Sequence, residues 1–263
     1  YATDLAAIAA TSNLGVILES ATWVASADRA APLGYDAPAL AAANRDAIAL
    51  LSDVRATLGD IPALISANIG PRKDAYATDT QMTAFEAAAY HTPQIATLAQ
   101  TNADLITAYT MANPAEAIGI LHACRDHKMP CVIAFTVETN GRLPTGGTLE
   151  AAITQVDAAT DKYAAYYMIN CAHPDHFADV LTNAPWARRV GGIVANASRC
   201  SHAELDNASE LDAGNPAEFG QQLVDLQQQH PHLRVLGGCC GTDMRHLDCL
   251  ARQLTKQLAL RRP

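Results

Sequence analysis

Seven apolar runs alternate along this chain with alanine-rich stretches of helical length, and that alternation narrows the fold more than any other feature. The runs are Leu14–Ser20, Ala63–Gly70, Asp104–Thr110, Cys131–Val137, Tyr166–Cys171, Val190–Asn196 and Val235–Cys239. Helical segments lie among them at Ala37–Leu58, Ala84–Gln100, Pro114–His127, Leu149–Asp161 and Pro216–Gln229, the last with Asn215 as its N-cap. Such alternation predicts a parallel sheet with helical crossovers. The 263 residues contain no linker, low-complexity tract or charge block, so residues 1–263 read as a single domain of a size that suits an α/β barrel. A (β/α)8 barrel needs eight strands, and the count here is one short. The chain opens instead in a helical pattern, Asp4–Ala10.

The last run breaks into Gly237-Gly238-Cys239-Cys240-Gly241-Thr242. On a regular strand adjacent cysteines face opposite sides of the sheet. The flanking glycines free the backbone from those dihedrals, so both sulfurs can turn toward one point at the strand's C-terminal end. A third thiol, Cys171, ends the Tyr166–Cys171 run. Cys171, Cys239 and Cys240 therefore form a candidate Zn2+ site with its fourth position open, the mark of a catalytic rather than a structural zinc. Two readings compete with it: a vicinal pair that only packs, and a Cys-x-His-x-x-His set formed by Cys171, His173 and His176. Cys124, Cys131 and Cys249 read as small buried apolar residues and Cys200 as a bystander.

The block Gly237–Thr242 followed by His246-Leu247, with Asn170-Cys171 upstream, resembles the homocysteine S-methyltransferase family, and the resemblance extends over most of the chain. It implies a TIM barrel, with the three cysteines holding a zinc ion that binds the homocysteine thiol. In that family the opening helix follows a first strand carrying Asp-Gly. No such run precedes Asp4, so the fold expected is an α/β (β/α)8 barrel with its first strand absent, or else a divergent barrel closed another way.

Residues at the C-terminal strand ends of a barrel face its active site. Thr22 and Trp23 loosely match a family strand end and are candidate walls, whereas Glu19 and Ser20 depart from it. Asn68 sits where the backbone can approach a ligand. The resemblance aligns Tyr109 with a glutamate that binds the substrate's amino group, and only Thr110 matches. The displaced carboxylate is sought at Glu138. Asn170 belongs to the matching block, and Asn196 aligns with an asparagine near the substrate. The Gly- and Pro-rich stretch Thr139–Gly147 reads as a loop that can cover the catalytic face.

Methyl transfer to sulfur needs a thiolate, whereas free thiols titrate near ~8.5. Coordination to zinc deprotonates them. The donor must then carry a good leaving group, such as a sulfonium or quaternary ammonium, and the family resemblance implies S-methylmethionine, S-adenosylmethionine or betaine. Trp23, Tyr35 or Tyr109 can offer an aromatic face to such a cation. The reaction expected is methylation of homocysteine to methionine, a step of methionine biosynthesis, with no catalytic group beyond the substrate thiolate on the metal. Methylation of another thiol or selenol, and a non-catalytic zinc- or thiol-binding barrel, are the alternatives. The net charge of -9 argues against nucleic acid or an anionic membrane as partner. No apolar stretch reaches the ~18 residues of a membrane span. An odd cysteine count without a disulfide pattern points to a reducing, cytoplasmic setting.

Overall fold

Every apolar run becomes a strand, and all are parallel. The computed structural model describes residues 1–77 and 81–260. Its strands are β1 (Val16–Glu19), β2 (Ala63–Ile69), β3 (Leu105–Met111), β4 (Cys131–Phe135), β5 (Tyr167–Asn170), β6 (Val190–Ala195) and β7 (Val235–Gly238). Each pairs with the next in sequence, so the sheet order is the chain order. The helices are α1 (Ala2–Ser12), α2 (Ala27–Ala30), α3 (Ala37–Ala56), α4 (Ala84–Leu98), α5 (Pro114–Asp126), α6 (Leu149–Thr160), α7 (Pro174–Phe177), α8 (His202–Asp206), α9 (Pro216–Gln229) and α10 (Met244–Leu260). Among the described residues β1 and β7 are not paired with one another. The result is a curled α/β sheet, a TIM-barrel-like fold one strand short of eight.

Alternation along the strands sorts their side chains onto two faces. Val16, Leu18, Ile65, Ile106, Ile133 and Ile169 join the large core between sheet and helices. Their strand neighbours point the other way, where Leu105, Tyr109, Val132, Ala134, Met168 and Val194 form a second, inner cluster with Cys239 packed against it. The inner face also carries polar groups, with the hydroxyls of Ser66 and Thr107 2.7 Å apart.

Local chemistry explains the helix starts. Asp36 accepts the Ala39 amide at 2.8 Å ahead of α3, Thr83 and Glu86 form a reciprocal capping box on α4, and Asn215 accepts the amides of Ala217 and Glu218 ahead of α9. Helices α2, α7 and α8 are too short to display an apolar repeat and left no periodic signal in the sequence.

Candidate metal centre at the barrel mouth

The two thiol-bearing strand ends lie in one layer with β6 between them. Cys171 follows β5 with φ of 56°, a left-handed backbone that ends the strand and turns the side chain off the ladder, while its amide still donates to Val194 O at 3.1 Å. Asn170 holds this corner. It accepts the Thr110 amide and donates to Thr110 Oγ1, each at 2.9 Å, and Thr110 is itself left-handed at φ 61°. One buried amide side chain thus ties together two strained strand ends on β3 and β5.

After β7 the chain is pinned residue by residue. The Cys239 amide donates to Ala195 O at 2.7 Å, and the Cys240 amide donates to Asn196 Oδ1 at 3.1 Å. Thr242 Oγ1 donates to Cys239 O at 2.7 Å. A Cβ on Gly238 would lie 2.3 Å from that hydroxyl, so only glycine lets the turn close. The motif's His246 is fully buried; its Nε2 lies 2.8 Å from Ala213 O and its Nδ1 3.1 Å from the Asp243 amide. It fastens the start of α10 to the preceding loop.

These restraints bring Cys171, Cys239 and Cys240 together, with all three sulfurs within 4.8 Å of one another and the Cys171–Cys240 pair at 3.6 Å. Zinc–thiolate bonds of about 2.3 Å at tetrahedral angles put neighbouring sulfurs about 3.8 Å apart, so the spacing suits one such ion. No other group of three or more candidate ligands occurs among the described residues. His173 instead accepts the Asp175 amide as the cap of α7, and burial pushes its pKa down to about 4. His176 Nε2 lies 2.9 Å from Arg199 O.

The thiols act on one another. Hydrogen bonds from Cys171 and Cys239 hold the Cys240 thiol far below its usual range, to about 3. Hydrogen bonds to Cys171 and Cys240, then burial, push Cys239 well up. At Cys171 the bond from Cys239 favours the thiolate, but the bond to Cys240 and burial outweigh it and raise the pKa to about 11. The thiolate form is thus favoured at Cys240, the most exposed of the three.

Two sides of the cluster differ. Toward Cys171, a cleft is lined by Tyr76, Glu138, Asn196, Cys200 and His202. The Tyr76 and His202 rings stack at 3.6 Å, and the Tyr76 hydroxyl lies 2.9 Å from Thr136 Oγ1. Sequence reasoning overlooked both rings because Tyr76 lies in an irregular loop and His202 opens the short helix α8. Toward Cys239 lies the inner cluster, where the Tyr109 hydroxyl donates to Glu19 Oε1. Asn68 lies beside them, its amide donating to Ser20 Oγ at 2.9 Å. Trp23 packs on Gly70 and its Nε1 donates to Tyr109 O at 3.4 Å. Thr22 is buried, its hydroxyl spent on Asn68 O at 2.7 Å. Tyr35 is exposed in the loop before α3. The stretch Thr139–Gly147 is a tethered turn: Leu143 is buried, and Thr145 Oγ1 donates to Ala112 O at 3.0 Å.

A family model described as homocysteine S-methyltransferase matches residues 7–254. The chain belongs to the homocysteine S-methyltransferase family. Its members being homocysteine methyltransferases, the chain is an enzyme of this type. The fold also matches crystal structures of the homocysteine methyltransferase MmuM from Escherichia coli. The metallated form aligns with a TM-score of 0.73 at 16% identity, over 95% of this chain and 83% of that one. The oxidized form aligns with a TM-score of 0.72 at 19% identity, over 96% and 83%. No match was found among curated proteins. Among the described residues no helix is long and apolar enough to cross a membrane.

Proposed function

We propose that this family member is a zinc-dependent S-methyltransferase that moves a methyl group from a sulfonium or ammonium donor to the thiol of homocysteine, giving methionine. Family membership supports homocysteine methylation in general. The observation that carries the finer reading is the convergence of three thiols, from two strand ends, at the mouth of the barrel. Cys171, Cys239 and Cys240 would hold the ion. Zinc in such a site keeps a fourth, substrate thiol deprotonated at neutral pH.

The protein's own groups supply position and environment. Asn170 fixes the backbone corner that aims Cys171, and Asn196 fixes the amide of Cys240. Tyr76 and His202 stack beside Cys171 and form the aromatic wall of the cleft through which a cationic donor approaches. The acceptor sulfur attacks the donor's methyl carbon. A sulfur–carbon bond forms as the donor's bond to that carbon breaks, its electron pair leaving with a neutral thioether or amine. The acceptor's thiol proton goes to solvent.

The test is zinc content together with methionine formation from homocysteine, with S-methylmethionine, S-adenosylmethionine and betaine offered in parallel. One zinc per chain and turnover with one donor are expected. Cys239→Ser and Cys240→Ser should each lose zinc and turnover together, and either variant keeping both at full level would refute the site.

A further inference from the structure

Glu19 is a carboxylate held by neutral donors. It closes β1, and alternation with Val16 and Leu18, which face the outer core, turns it toward the barrel interior. There it accepts from the Tyr109 hydroxyl of β3 and from the side chain of Asn68 on β2. Asn68 is oriented for this, since Ser66 Oγ donates to its Oδ1 at 3.1 Å and leaves Nδ2 to give. Among the described residues no Arg, Lys or His forms an ion pair with Glu19. A carboxylate has roughly four acceptor positions, and two neutral donors leave room for a third partner. Burial pushes the group up to about 7, the sign of a charge short of compensation.

Its position relative to the thiols is the second observation. Glu19 and Cys239 both lie near enough to Tyr109 and to the Tyr1 side chain to act on them electrostatically. Cys239 packs on the same inner cluster as Tyr109. The carboxylate and the thiol cluster therefore flank one tyrosine on the concave face. An α-amino acid thiol carries its ammonium and its sulfur at the two ends of a short carbon chain, which is the guest this pair of anionic sites suits.

We propose that Glu19 is the carboxylate that receives the acceptor's α-ammonium group, with Tyr109 as the neutral donor that orients it. The inference rests on the methyltransferase reading above and deepens it. It assigns to β1 a role for which sequence reasoning looked to Glu138. That residue lies instead in the cleft on the Cys171 side.

The experiment measures binding to the zinc-loaded protein by calorimetry, with two thiols: homocysteine and 4-mercaptobutanoate, which keeps the thiol and carboxylate and lacks the amine. Glu19→Gln should weaken homocysteine roughly 10- to 150-fold, the worth of a hydrogen bond to a charged group, and leave 4-mercaptobutanoate and zinc content unchanged. Glu138→Gln should change neither thiol. Equal losses for both thiols in Glu19→Gln, no loss for either, or an amine-selective loss in Glu138→Gln would each overturn the assignment of Glu19 while leaving the methyltransferase reading standing. Wild-type protein that holds zinc and binds 4-mercaptobutanoate but not homocysteine would overturn both.

Discussion

Replacing Glu19 by Gln should make the protein more stable at alkaline pH and change little in acid. The carboxyl's pKa is about 7 in the folded chain, against 4.5 for the unperturbed group. A raised folded value means that the native state holds the proton more tightly than the unfolded state. Glu19's favourable contribution is thus complete below about pH 4.5 and is lost as pH rises through 7. A difference of about 2.5 pK units, at 1.36 kcal/mol per unit, amounts to about 3 kcal/mol of lost stability at pH 8, and roughly 1 kcal/mol of it has already gone by pH 5.5. The groups facing Glu19 are Tyr109, Asn68, Tyr166 and the Tyr1 side chain, none of which carries a positive charge, so the sign is unchanged. Glutamine keeps the shape and one acceptor oxygen without the charge. Urea unfolding of wild type and Glu19→Gln at pH 5.5 and pH 8 should give a stability advantage to the variant that grows by about 2 kcal/mol between the two conditions. An advantage that stays constant with pH, or a variant less stable at pH 8, would refute the reasoning.

Three further outcomes follow from the same geometry. Asn170→Ala leaves the buried Thr110 amide without a partner and should cost about 1–3 kcal/mol in urea unfolding, with zinc affinity falling because Cys171 loses its corner. Gly238→Ala drives a methyl group into Thr242 and should cost about 1–3 kcal/mol, with weaker zinc retention in competition with a chelator. Tyr109→Phe removes one donor from Glu19 and should raise KM for homocysteine while leaving zinc content unchanged; an unaltered KM would dismiss the hydroxyl as a contributor.

Much of the architecture was legible because alternating strand and helix patterns are local signals. The predicted strands overshoot mainly at their C-terminal ends, where positive φ at Cys171 or the turn at Gly70-Pro71 stops the ladder before the apolar run does. The thiol cluster was legible because vicinal cysteines between glycines have few other uses. The Glu19–Tyr109 pair was not, because its members are 90 residues apart and meet only when β1 and β3 curl around a common interior. Read singly, each looked like a departure from the family pattern; together they place a carboxylate on the inner face of the sheet. Tyr76 and His202 were missed for a related reason: a loop and a five-residue helix carry no periodicity, and their stacking depends on tertiary closure.

The concave face carries one carboxylate and three converging thiols that favour a thiolate, with no arginine or lysine paired to Glu19 among the described residues. Negative charge on such a surface favours a cationic guest over an anionic one. Occupancy and stability are then one quantity seen from two sides. A ligand that binds only the native state raises its stability by RT ln(1 + [L]/Kd), so the melting temperature of this protein becomes a meter of what sits in its mouth.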